Sequence, residues 1–287
     1  MCIRDRADAL LKRLESEAQS TPADIFITTD AGRLQRAKDA GVLRPVENPT
    51  LSARIPENLR DKENYWFGLS QRARVIFYAK DRVDPAELST YEALTDPKWK
   101  QRICIRSSGN IYNQSLVASM IAAHGPEKTE AWARGLVANF ARKPAGGDTD
   151  QLRAAAAGLC DIAIANTYYY GRLVNSARED DQKVANSLGL FWPNQSERGA
   201  HVNVSGAGIT RYASHPEAAE RLLEFLVNPE SQAWYAEVNN EYPVVDDAKT
   251  SAALSAFGEF SSDSLNLTLL GENNRAAVQL MDRAGWR

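Results

Sequence analysis

The 287-residue chain has no run approaching the roughly 20 apolar residues of a membrane-spanning helix. It has no surplus of positive charge either. Its 34 basic and 37 acidic residues leave a net charge of −3, which gives no electrostatic reason to expect nucleic acid or an anionic membrane. Its three histidines, His124, His201 and His215, are scattered without metal-ligand spacing. H-E-x-x-H, G-x-S-x-G, P-loop and G-x-G-x-x-G patterns are all absent, so the catalytic and cofactor sites those motifs build are not signalled. Internal repeats and low-complexity tracts are missing too. What remains is an ordinary globular composition, 44% apolar and 25% charged, long enough for two lobes of roughly 100–150 residues.

Residues 1–6, Met-Cys-Ile-Arg-Asp-Arg, are charged and lack the apolar segment of a signal peptide. A helical pattern follows at once over 7–17, with Leu10, Leu11 and Leu14 on one face, and then a strand at 23–28. An α/β lobe ordinarily opens with a strand, and Cys2-Ile3 is too little for one. The expectation is a truncated frame whose native start is replaced by an unrelated leader, against a native lobe that opens on a helix. Cys2 belongs to that leader. Cys104 lies inside a strand-like stretch at 102–106, and Cys160 directly precedes another at 161–166. These two either pair as a disulfide, which implies an oxidising compartment, or pack as small apolar thiols.

Further along, the spacing predicts helices over 31–40, 111–123, 127–140, 149–157, 215–227 and 229–238. Others include residues 91–94, run from Tyr170 to about Asn175, and fill the tail from Thr250. Strands are expected at 74–78, 102–106, 161–166, 189–192 and, with glycine kinks, 202–210. Asp148 with Gln151 three residues later has the form of a capping box opening helix 149–157. Strands alternating with helices imply an α/β fold built on a mostly parallel sheet with helices on both faces. Crossovers at about 79–83 and 205–209 divide it into two lobes that close on a ligand by hinge motion. Residues 1–82 and 206–262 form lobe 1 and 83–205 form lobe 2, with the C-terminal helix of 263–287 packing on lobe 2.

Three consecutive tyrosines, Tyr168, Tyr169 and Tyr170, follow the apolar strand 161–166. Open α/β sheets bind ligands in the crevice at the carboxyl ends of their strands. A second junction has the same form, where strand 102–106 gives way to Ser107-Ser108-Gly109-Asn110 and a helix bearing Tyr112. If the two strands are neighbours, the hydroxyls of Tyr112, Tyr168 and Tyr169 converge. Phenolates are hard anionic donors, whereas soft metals prefer thiolates and calcium prefers carboxylates and carbonyls. Ferric iron is the natural cargo for such a set. Its affinity should fall steeply with pH, because the metal must displace phenol protons. Tyr170 cannot share the direction of the other two and is expected to pack inside its lobe.

Weaker anchors surround these rings. Ser107-Ser108-Gly109 before a helix either offers backbone N–H groups to an anion or is a plain turn. One of Arg72 and Arg74 faces the cleft to balance phenolate charge, or both are solvated at the surface. Asp30 caps helix 31–40.

The segments 166–173 (Asn-Thr-Tyr-Tyr-Tyr-Gly-Arg-Leu), 105–118 and 68–76 resemble the ferric-iron-binding proteins of bacterial ABC uptake systems, above all their tyrosine-rich cyanobacterial and marine branch. The resemblance runs from about Ala7 to Arg287, and the paired tyrosine after Asn166 is its most specific element. It implies a two-lobed periplasmic solute-binding fold of type II and a monomer that delivers Fe(3+) to a permease of the inner membrane. Iron ligands would fall on Tyr112, Tyr168 and Tyr169. Asn166, Ser108 and Gly109 match places where some members hold a synergistic anion, and Arg72 matches an arginine behind the ligands. One branch uses a glutamate near the position of Thr29, and its absence here favours the all-tyrosine type. Family members also begin with an export signal and a first strand bearing another tyrosine ligand, often beside a histidine. Without these, a weakened, incomplete iron shell is expected. Two alternatives stand beside this one: a binding protein of the same architecture for an organic or anionic solute, and a two-lobed α/β enzyme.

Overall fold

A computed structural model describes residues 7–287; residues 1–6, with Cys2 and the expected leader, lie outside the described residues. The strands are β1 (Ile25–Thr29), β2 (Phe67–Ala79), β3 (Ile103–Cys104), β4 (Ile162–Asn166), β5 (Leu188–Phe191) and β6 (Val202–Ile209). They lie in the order β1-β6-β2-β4-β3, with β5 also against β2. The expectation of a mostly parallel sheet is corrected here. β6 runs antiparallel to β1 and β2, and β2 antiparallel to β4 and β5, while β3 and β4 are parallel. Alternation in sequence sets which element comes next, not which strand lies beside it. Here β6 inserts between β1 and β2, and long connections let a strand return in either direction.

β2 ties the sheet together. Its first half, to Ala73, pairs with β6, and its second half, from Arg74, pairs with β4 and β5. The partner therefore changes between Ala73 and Arg74, upstream of the expected crossover at 79–83. β4 shows the two-residue period of a buried strand. Ile162 and Ile164 enter the larger core, while Ala163 and Ala165 enter a second core with Val75, Phe77 and Leu152.

The first helices are α1 (Ala7–Glu17), α2 (Ala31–Asp39), α3 (Pro49–Arg54) and α4 (Ile111–His124). After them come α5 (Pro126–Ala138), α6 (Asp148–Ala156), α7 (Thr167–Val174) and α8 (Glu179–Ser187). The C-terminal third adds α9 (Pro216–Leu226), α10 (Pro229–Asn239), α11 (Ala252–Ser255), α12 (Thr268–Glu272) and α13 (Asn274–Arg283). Residues 91–94 fall in and beside a 3-10 turn, Glu92–Thr95, rather than an α-helix. The tail from Thr250 breaks into three short helices. Of these, α12 packs on α2 and α4, and α13 on α4 and α5. The capping box at Asp148 is also corrected: Gly147 is the cap, its N–H donating to Asp150 Oδ2 at 2.6 Å. Asp148 is instead drawn inward, where it pairs with Arg74.

Cys104 and Cys160 form a disulfide between β3 and the start of β4, with Cα atoms 5.9 Å apart. Both are buried. It closes a long stretch of chain, since the two cysteines are 56 residues apart. Replacing both by Ala is expected to lower stability by about 2–4 kcal/mol, read as a lower urea midpoint.

Candidate metal centre

Two strand ends build the centre. β3 and β4 are adjacent and parallel, so their carboxyl ends lie side by side. From β3 the chain loops to Asn110, whose Oδ1 accepts from the Tyr112 N–H at 3.1 Å and starts α4. From β4 there is no loop at all. Asn166 is both the last strand residue and the cap of α7, so Tyr168 and Tyr169 fall in the first helical turn. The helix starts three residues before the point expected from sequence.

Tyr168 Oη donates to Tyr112 Oη at 3.2 Å. The Tyr169 ring lies against that of Tyr168, with centroids 4.2 Å apart. Tyr170 turns away. Its hydroxyl donates to the carbonyls of Ala185 and Leu188, and its ring packs on Phe77 and Phe257. The Tyr112–Tyr168 spacing is close to the roughly 3 Å edge of an octahedron whose oxygen donors lie about 2 Å from a small hard cation. Among the described residues no group of three or more His, Cys, Asp or Glu could hold a metal.

Burial pushes the Tyr168 phenol well above its ordinary range, and the fields of Tyr112 and Tyr169 add to this while Arg72 opposes it. Tyr169 is raised by burial and by Tyr112. Without a cation, then, these rings hold their protons. Three guanidinium groups surround them. Arg172 lies 5.0 and 5.8 Å from the ring centroids of Tyr168 and Tyr169, and Arg106 and Arg72 lie 5.6 and 5.8 Å from that of Tyr112.

Neither Arg72 nor Arg74 is solvated: both are buried in the interior. Arg74 is a strut. It pairs with Asp148 at 3.0 Å and donates to Asn113 Oδ1, Asn166 Oδ1 and the Ile164 carbonyl. That leaves Asn166 with its side-chain oxygen on Arg74, and its backbone N–H donates to Asp148. Arg72 is different. Nη1 donates to Ser205 Oγ at 3.1 Å, while Nε and Nη2 are buried without a partner.

In the Ser107-Ser108-Gly109 loop the carbonyls are engaged: Ser107 O accepts from Asn113 Nδ2, and Ser108 O from Gln114 Nε2. A Cβ at Gly109 would come no closer than 3.7 Å to its nearest neighbour, Ser107 Oγ. Asp30 caps α2 as expected, but it also accepts from Ser115 Oγ and Asn203 Nδ2, which ties α2 to α4 and β6. Sequence reasoning missed Arg106, Arg172 and Asn113. Arg172 could have been found, because it stands four residues after Tyr168 and so on the same helix face.

A family model described as bacterial extracellular solute-binding protein matches residues 20–256. Iron uptake protein A2 of Synechocystis is 49% identical over 287 residues, which is 99% of this chain and 83% of that protein. The major ferric iron-binding protein of Neisseria meningitidis serogroup B is 25% identical, over 98% of this chain and 83% of its own length. A Trichodesmium protein solved in complex with iron and citrate superposes with a TM-score of 0.97 at 52% identity, covering 99% of this chain and 90% of that one. A ferric binding protein from Campylobacter jejuni gives 0.93 at 40% identity, over 99% and 90%. The chain belongs to the bacterial extracellular solute-binding proteins and has their two-lobed fold.

Proposed function

We propose that this protein binds ferric iron through the phenolates of Tyr112, Tyr168 and Tyr169 and delivers it, as a monomer, to the permease of an ABC transporter. It is a carrier, not an enzyme. The observation that carries this is the meeting of the Tyr112 and Tyr168 hydroxyls from separate strand-to-helix junctions at 3.2 Å, with the Tyr169 ring lying against that of Tyr168. Three phenolates match the charge of Fe(3+), so the loaded cluster is close to neutral in a buried setting that penalises net charge. The unpartnered N–H groups of Arg72 suit an anion completing the shell, with Ser108 and Gly109 at its edge and Asn166 fixed behind by Arg74.

Residues 1–82 with 206–262, and 83–205 with 263–287, serve as the two lobes, with β2 and β6 shared between them as hinge strands. A buried disulfide suits the oxidising periplasm. The test is a ferric-citrate titration of the purified protein. Phenolate-to-iron charge transfer should turn it orange to red, and a colourless protein that instead binds a metal-free organic anion would defeat the proposal.

A further inference from the structure

We infer that Glu241 is a positioning residue for this site: acting through Ser205, it fixes the guanidinium of Arg72 against Tyr112. The inference deepens the ferric-iron proposal and rests on it. Arg72 lies on the half of β2 that pairs with β6, opposite Asn203, and is 1% exposed. Glu241 comes from a distant part of the chain. It follows Asn240, where α10 ends in a left-handed residue (φ 56°). Tyr242 next to it exchanges both backbone hydrogen bonds with Gln71, at 2.8 and 2.6 Å, which pins the segment to β2 beside Arg72.

The carboxylate and the guanidinium are linked by a hydroxyl. Arg72 Nη1 donates to Ser205 Oγ at 3.1 Å, and Ser205 Oγ donates onward to Glu241 Oε2 at 3.0 Å. Ser70 Oγ donates to the same carboxylate oxygen. A buried cation and anion attract strongly where the dielectric is low. With Ser205 serving both, Arg72 remains 5.8 Å from the Tyr112 ring, its Nε and Nη2 unpartnered. The groups whose fields act on Arg72 are Glu241, Asp30, Tyr112 and Tyr168. Of the two carboxylates, Asp30 is engaged by Gly32, Ser115 and Asn203, so Glu241 alone has the hydroxyl link to Arg72. Outer contacts of this kind orient and tune a metal site without touching the metal.

The charge-transfer band of the iron-loaded protein reads the potential at the phenolate oxygens, because a nearby cation stabilises phenolate electrons and raises the transition energy. Ser205→Ala removes the spacer but keeps both charges, so Arg72 turns to pair directly with Glu241. The band should move to longer wavelength, and iron retention against citrate should fall about tenfold. Glu241→Gln keeps an acceptor for Ser205 but removes the charge that offsets Arg72, so the band should move to shorter wavelength. Shifts of the same sign in Ser205→Ala and Glu241→Gln, or no shift in either, would overturn the inference. A wild-type protein that never develops the band defeats the iron proposal itself, which separates the two failures.

Discussion

Tyr168→Phe is expected to weaken ferric binding by more than about 100-fold while leaving the fold intact. The ring stays, so the packing on Tyr169 and beneath Arg172 is preserved. Only the hydroxyl goes, and with it one hydrogen bond to Tyr112, a change of about 1 kcal/mol or less in stability. Contacts that merely support a ligand already cost 10–100-fold in metal affinity when removed, so loss of a donor oxygen should exceed that range. Proton release gives an independent check. Each phenol that binds as phenolate releases one proton, and each proton contributes about tenfold in affinity per pH unit. The wild-type affinity should therefore fall as pH falls, and the log-affinity slope of Tyr168→Phe should be shallower by one proton. Tyr170→Phe is the contrast, since its hydroxyl serves the carbonyls of Ala185 and Leu188. It should keep colour and slope. Equal iron affinity in Tyr168→Phe and wild type, measured by competition with citrate, would refute the assignment of Tyr168 as a ligand.

Much of this arrangement can be read in the sequence, for identifiable reasons. Residues 161–166 announce a buried strand by their continuous apolar run, β-branched at alternate positions. The tyrosines beyond it announce a site, because three phenols in tandem exceed what a core needs. Tyr112 is legible only by analogy between two junctions, and its meeting with Tyr168 depends on β3 lying beside β4. Strand adjacency is a long-range property that no local pattern encodes. The same gap explains the sheet direction. A strand reads alike whether its neighbour runs with it or against it, so residues 74–78 read as a strand without showing the full length of β2 or its two sets of partners. It also explains Asp148. By spacing it resembles a cap, but a buried arginine 74 residues away takes it, and Asp150 does the capping. Buried charges were the least legible part. Arg72 and Arg74 differ by two positions on one strand and both are buried, yet one is fully bonded and the other keeps two nitrogens, Nε and Nη2, without a partner.

That difference sets the second large effect, Arg74→Met. The Arg74–Asp148 pair is buried on both sides, with side-chain exposures of 1% and 0%. Removing one partner of such a pair strands the other charge and costs about 3–5 kcal/mol. For a chain of this size the melting temperature should fall by roughly 5–8 °C. Asp148 would keep the Asn166 N–H at 3.0 Å and Arg106 at 3.8 Å, which softens the loss without repairing it. Arg74→Met with Asp148→Leu removes both charges and should recover much of the stability, because the desolvation cost disappears with them.

Iron binding should not recover in that double variant. Arg74 holds Asn113, one residue beyond Tyr112, and Asn166, two residues before Tyr168, so a single guanidinium fixes both junctions relative to each other. Met and Leu can refill the volume but cannot reproduce those two hydrogen bonds. The two junctions would then keep the β3–β4 pairing and the Tyr168–Tyr112 hydroxyl contact but lose the tie behind the rings, which leaves room for the sub-ångström drift that a shared ion does not tolerate. The pair of measurements separates the roles: melting temperature follows the stranded charge, and iron affinity follows the lost tie. A double variant that regains both stability and wild-type iron affinity would show that Arg74 stabilises the lobe without positioning the tyrosines.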